Sequence, residues 1–540
     1  MTTLAGTAAL TRLAMRRDRV MLLSWIYVLT AFVAATVYGF KKLYATAALR
    51  DAFAATVAHN PSLLSLYGPL FGHSLGSLTA WRDAAIGGVG FGLMSIFLVV
   101  RHTRADEESG WLELVGSTVV GRHAALASAL LVACLANVAA GALITAAAIA
   151  LGLPAAGTIA MAAAFTAGGL AFTGVAAVAA QVAQTGRSAS GLAIGVLGTA
   201  FLLRAVGDSA GQGGPRWLTW PSPLGWSELI RAFGSIRWWV LALPLGSAIV
   251  LATAGAMLAV HRDYDAGMLP QRPGPAAAAA WLRNPLALAW RLQRASLIAW
   301  VAGALVYGVV IGAAAKGIGG LLTSSEVRKV VGNLGGQPGL AGAYRAALTN
   351  AFLAAIMSFS GLIASGYAIS AILRLHSEES EQRAEAVLAT STGRISWGLS
   401  HVLIAVAGTV AILTTAGLGA GLGYVYRSGG GGAEIGRLVG AGLAQAPAAL
   451  VMGGIAAALF GLLPGASVAG SWSALGVAVL MLFLGAILQL SHWVLDISPF
   501  QHLPKLPGGP VTAAPLVWLS LIALALGAAG LAGLRRRDLS

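Results

Sequence analysis

AALASALLVACLANVAAGALITAAAIAL, residues 124–151, runs its whole length without one charged side chain. An α-helix rises 1.5 Å per residue, so about 20 apolar residues cross the hydrocarbon of a bilayer, and this stretch is long enough to do so. Eleven more apolar runs lie on either side of it. Six in all fall between about Val20 and Val260 and six between about Ala295 and Leu534, the fifth (Ser188 to Leu203) being short. Only 10% of the chain is charged and 57% is hydrophobic, against about 25% charged in soluble domains. The predicted fold class is an all-α integral membrane protein with about twelve transmembrane helices. The first run is too long, and too poorly equipped with a cleavage site, to be a removed signal peptide. Cys134 is the only cysteine, so no disulfide or cysteine metal site can form within the chain. The formal charge of +15 reads as basic flanks meeting anionic lipid headgroups rather than as nucleic-acid binding. Arg12, Arg16, Arg17 and Arg19 before the first run, and Arg535, Arg536 and Arg537 after the last, predict cytoplasmic termini.

Immediately before the opening stretch comes DEESGWLELVGSTVVGR, Asp106 to Arg122. It returns as EESEQRAEAVLATSTGR, Glu378 to Arg394, in one gapless register that superposes Glu107 on Glu379, Glu113 on Glu385 and Gly121-Arg122 on Gly393-Arg394. RVMLLSW, ending at Trp25, is echoed by RASLIAW, ending at Trp300, and Ser222-Pro223 by Ser498-Pro499. The order of landmarks is preserved, which predicts two six-helix halves, 1–262 and 283–540, joined by a cytoplasmic linker at 263–282. An even number of spans per half relates the halves by an axis along the membrane normal. Basic lead-ins, TRLAMRRDR and LALAWRLQR, are expected to lie along the inner membrane surface.

The two windows hold eight of the 19 Asp and Glu in the chain. A lone acid in hydrocarbon costs about 2.5–3.5 kcal/mol, so these must meet water or another polar surface. Solvated loops would suffice, but repetition at matched positions points to a docking surface used twice. Its expected residues are Asp106, Glu107, Glu108, Glu113, Gly121 and Arg122 in one copy, and Glu378, Glu379, Arg383, Glu385, Gly393 and Arg394 in the other. Trp111 stands where the second copy has Arg383, so the two surfaces are not chemically identical.

Acids, then Trp-Leu-Glu or Arg-Ala-Glu, then Gly-Arg leading into a span, resemble the coupling-helix region of ABC-2 type ABC transporter permeases. The chain is similar in particular to the duplicated actinobacterial permeases of the tetronasin-type group, exporters of polyketide antibiotics. WPSPLGWSELIRAFGSIRWW and LDISPFQHLPKLPGG also resemble that group's outer-loop signatures. The resemblance spans essentially the whole chain. It implies a bacterial plasma-membrane subunit that exports amphipathic drugs or antibiotics and docks two copies of a separate ATPase, which binds ATP and Mg. Consistently, none of the five lysines, Lys41, Lys42, Lys316, Lys329 and Lys505, sits in the G-x-x-x-x-G-K-[ST] loop that wraps phosphate.

By the same resemblance, cargo meets the first, second and fifth spans of each half. Trp25, Phe32, Phe91, Met94, Phe97, Trp300, Tyr307, Phe352, Met357 and Phe359 are candidates for an adaptable apolar cavity, against lipid-facing or packing roles. Asn137, Gln181, Asn350 and Gln489 suit interhelical hydrogen bonds, and Gly88 and Gly92 helix packing. Pro221, Ser222, Pro223 and Trp226, with Ser498, Pro499, His502 and Pro504, are candidates for short re-entrant helices at an outer gate. His492, Asp496 and His502 are too scattered for a metal set. A proton-coupled drug antiporter would need an acid buried within a span, and the 19 acids are expected in loops or at span ends. A membrane enzyme acting on lipid-linked substrates would need converging catalytic groups, which no outer loop supplies.

Overall fold

The computed structural model describes residues 3–58, 61–209, 215–262, 267–268, 277, 279–320, 338–484 and 491–537. No strand occurs among them. Hydrocarbon offers no partner for N–H and C=O groups, so a chain this apolar satisfies them within helices. Two compact units, Met1–Gly274 and Pro275–Ser540, carry six apolar spans each. In the first these are Arg19–Leu43, Leu75–Glu108, Ala124–Ala150, Ala155–Val182, Gly186–Asp208 and Trp238–Val260. In the second they are Pro285–Ala313, Thr349–Ser380, Arg394–Tyr426, Gly432–Leu462, Pro464–Leu482 and Ala513–Arg536. Most of the linker expected at 263–282 lies outside the described residues, as do Lys329 and Gln489.

In the first unit the second and fourth spans are the most enclosed. Phe91, Met94, Phe165 and Phe172 form the centre of its core, with Gly88 packed on Leu224 and Gly92 on Leu197 and Phe172. Two span boundaries differ from the sequence reading. The second span begins at Leu75, where the Ser74 side chain accepts from the Ser77 N–H, and this carries Asp83 inside it. The carboxylate is fully buried and accepts from Thr36 Oγ1 of the first span at 3.0 Å, which corrects the expectation that every acid lies in a loop or at a span end. The fifth span is not short: its apolar run stops at Leu203, but the helix continues because Arg204 is paired within the unit, at 2.5 Å from Glu228 and 2.9 Å from the Leu66 carbonyl.

The basic lead-ins also part company. Thr7–Arg17 is a separate helix, broken from the first span at Asp18, whose buried carboxylate takes Arg101 at 2.7 Å and His102 at 3.0 Å. In the register that pairs Trp25 with Trp300, Gln293 takes the place of Asp18, and there the second lead-in runs unbroken into its span as one helix, Pro285–Gly320.

In the second unit Gly308 and Gly312 of one helix face Gly419 and Gly423 of another so closely that a Cβ on Gly312 would strike the Ala420 carbonyl and one on Gly423 the Val309 carbonyl. Small residues four apart let membrane helices meet backbone to backbone. Gly312→Val is expected to cost about 1–3 kcal/mol through overpacking. Gly303→Val, where a Cβ meets nothing within 4 Å, is expected to leave thermal unfolding in detergent unchanged.

Candidate functional site

The two charged windows adopt the same local form in the register read from sequence. Gly110 (φ 72°) and Gln382 (φ 58°) both take the left-handed conformation, turning the chain into short helices at Trp111–Gly116 and Arg383–Leu388. Gly110 matches Gln382 in the register that superposes Glu107 on Glu379, and the starts and the ends of the two helices match in it as well. Left-handed backbone suits glycine and costs other residues roughly 1–2 kcal/mol, so a glutamine in the matching place marks a turn enforced by its surroundings.

Half of the eight window acids, Asp106, Glu107, Glu378 and Glu379, are turned inward. Glu107, 3% exposed at its side chain, receives both Nη atoms of Arg262 at 2.6 and 2.7 Å and stands 3.1 Å from Arg104 Nη1. Arg262 follows the sixth span and also donates to Gln181 Oε1 of the fourth, while Arg104 donates to the Ala183 carbonyl. Asp106 takes Arg17 of the lead-in helix at 2.8 Å. Glu108 is exposed but accepts from the Gly186 N–H at 3.0 Å, at the start of the fifth span. The Arg122 guanidinium donates to the Val260 carbonyl at 2.6 Å. One short segment thus ties together the ends of the lead-in helix and of the fourth, fifth and sixth spans.

The second unit repeats the tie to its last span. Glu379 takes Arg537, just beyond the last span, at 2.5 Å, and Arg394 donates to the Arg537 carbonyl at 2.7 Å. Glu378 takes Arg374 and Arg383, each at 2.8 Å. In the first unit Trp111 occupies the place of Arg383 and lies 5.2 Å from Arg17, so Asp106 draws its cation from the lead-in helix instead. Arg383 also pairs with Glu381, and the bond to Glu378 holds its guanidinium above the usual arginine range.

Asp106, Glu107, Glu378 and Glu379 are therefore corrected from surface acids to internal ion-pair partners. The desolvation cost of burying such charges is tolerable only with partners in place. The face left open in the first copy holds Glu113 with Leu114, 73% exposed, and Val119, 68% exposed. The second presents Glu385 with Ala386 and Ser391, all exposed. Gly121 packs on the chain at Thr3 and Ala5, leaving no room for a Cβ, whereas around Gly393 the space is open. Sequence reading missed Arg262 and Arg537, although the two match in the register that pairs Trp25 with Trp300.

Of the cavity candidates, Phe91, Met94 and Met357 are buried in the cores of their own units, which corrects their assignment to an open cavity. Trp25 and Phe32 are partly buried, and Phe97, 38% exposed, lies 6.3 Å from the Trp25 ring. Trp300 meets Tyr367 edge-on at 6.2 Å; Tyr307, Phe352 and Phe359 are partly buried. Asn137 donates to Ser95 Oγ at 2.8 Å, joining the second and third spans.

At the gate positions, Ser222 caps a seven-residue helix, Pro223–Leu229, and donates to the Ala200 carbonyl at 2.7 Å. Trp226 Nε1 donates to the Trp220 carbonyl. Burial pushes the Glu228 carboxyl well above its usual range, more than Arg204 draws it down. Ser498 and Pro499 start only a three-residue turn, Pro499–Gln501, and His502 Nε2 donates to the Asp496 carbonyl at 2.8 Å. The expected matched pair of re-entrant helices is thus one short helix and one turn. No cluster of three metal-ligating side chains occurs among the described residues.

Residues 282–535 match the family described as the C-terminal domain of the multidrug efflux system permease Rv1217c. The multidrug efflux system permease protein Rv1217c of Mycobacterium tuberculosis is 40% identical over 536 residues, covering 99% of this chain and 95% of its own.

Proposed function

Because this chain belongs to the multidrug efflux permease family of Rv1217c, we propose that it is the membrane subunit of an ATP-driven ABC exporter of amphipathic drugs, worked by two copies of a separate ATPase. A permease is a component of a transport system rather than an enzyme. The relative's name speaks of multidrug efflux, and the chain's own apolar, aromatic spans suit such cargo. In this reading both termini and both windows lie in the cytoplasm, and cargo meets Trp25, Phe32 and Phe97 in the first unit and Trp300, Tyr307, Phe352 and Phe359 in the second. Pro221, Ser222, Pro223 and Trp226 lie on the outer side of the first unit, and Ser498, Pro499, His502 and Pro504 on that of the second.

One observation carries the reading: each unit presents a short exposed helix with a single outward acid, Glu113 or Glu385, while Glu107 and Glu379 beside it bolt that segment to the end of the unit's last span. A partner that moves the helix moves those spans with it. Photo-crosslinkers placed at Glu113 and at Glu385 in the full chain, expressed with a candidate ABC ATPase subunit from the same organism, are expected to capture that ATPase, and crosslinkers at Glu107 are not. Capture from Glu107 alone would overturn the assignment.

A second reading, proton-coupled antiport, gains one observation from the structure, the buried Asp83 in the second span. It fits less well, because Asp83 has no acidic counterpart in the other half: the positions that match it in the two registers of the repeat, and those between, hold Ala355, Ile356, Met357 and Ser358.

A further inference from the structure

We propose that the first unit holds a specific seat for an anionic glycerophospholipid, formed by the lead-in helix Thr7–Arg17 and the third span. The groove has a volume of about 580 Å³ and is lined by Thr11, Arg12, Met15, Arg16, Arg19 and Leu131. Arg12, Arg16 and Arg19 are exposed, and among the described residues none of them makes an ion pair. Their neighbours are committed elsewhere: Arg17 binds Asp106, and Asp18 is enclosed by Arg101 and His102. Three guanidinium groups consequently converge on one groove with no anion among the described residues to neutralise them, and guanidinium is the side chain best matched to phosphate oxygens.

The floor of the groove selects the lipid over free phosphate. Leu131, 46% exposed, lies two turns beyond Ala124 at the head of the third span, which is about 10 Å along its axis. With Met15 it continues the groove from the charged rim toward the hydrocarbon, the path of an acyl chain below a headgroup. The wall is rigidly placed, because Thr11 Oγ1 donates to Ser128 Oγ at 3.2 Å and the Gly121 N–H donates to the Ala5 carbonyl at 2.9 Å. The break at Asp18 makes the seat, since it sets the lead-in helix against the third span. With Gln293 in the corresponding place, the second unit has one continuous helix and no such corner.

Lipid retention by the full chain in detergent, read by native mass spectrometry with added phosphatidylglycerol or phosphatidylcholine, tests this. Wild-type protein is expected to retain one phosphatidylglycerol in strong preference to phosphatidylcholine. The triple variant Arg12→Gln, Arg16→Gln, Arg19→Gln is expected to lose that preference by roughly a hundredfold, from the usual contribution of each base near an anionic surface. Arg535→Gln with Arg536→Gln, which removes exposed charge that does not line the groove, is expected to change retention of that one lipid less than about twofold, because a base acts on a headgroup only within about a Debye length. Leu131→Trp fills the groove with every charge intact, so it carries the test should the triple variant fold poorly, and it is expected to lower retention as well. Equal loss in both arginine variants, unchanged retention in Leu131→Trp, or displacement of the lipid by millimolar inorganic phosphate would each overturn the proposal.

Discussion

Glu107→Ala is expected to destabilise the purified chain by about 3–5 kcal/mol with no partner present, because it removes the carboxylate shared by the buried Arg104 and the half-buried Arg262. Arg104 is 1% exposed at its side chain and Arg262 14%, so water cannot replace the carboxylate at Arg104. Glu113→Ala, nearby on the exposed helix, is expected to change stability by less than about 0.5 kcal/mol. Chemical denaturation of both variants in the same detergent checks the pair. Equal effects would mean that the buried ion pair does not tie the sixth span to the loop. The same contrast is expected between Glu379, held by Arg537, and Glu385.

The reverse pattern is expected for work done with a partner. Glu113→Lys combined with Glu385→Lys should leave the fold intact, since both side chains are exposed, yet weaken ATPase docking. Reversing a charge at a complementary interface costs about 2–5 kcal/mol, which is roughly thirtyfold or more in affinity. Drug-stimulated ATP hydrolysis by the reconstituted complex is the readout. The single variants are expected to differ, Glu113→Lys being partly compensated by the apolar contact of Leu114 and Val119, for which the second copy has only Ala386 and Ser391.

The twelve spans were legible because hydrocarbon demands long uncharged runs, and the doubling was legible because Glu107, Glu113 and Gly121-Arg122 recur in one register. The charges inside the fold were not. Arg204 ended an apolar run on paper, yet the helix continues past it because Glu228, distant in sequence, is brought within hydrogen-bond distance of it. Asp83 looked like a span boundary for the same reason. Window acids read as surface because their partners, Arg17, Arg262 and Arg537, are brought to them only by tertiary packing. The lead-in helices part where Asp18 stands against Gln293, and the break there is not written in the residue itself, because Arg101 and His102, which hold the Asp18 carboxylate, come from the far end of the second span.

The most direct measurement is drug movement in proteoliposomes holding this chain with or without its ATPase, driven in turn by ATP and by an imposed proton gradient. The expected result is transport that needs both the ATPase and ATP, ignores the gradient, and persists in Asp83→Asn. Transport by the chain alone on a proton gradient, lost in Asp83→Asn, would contradict the account.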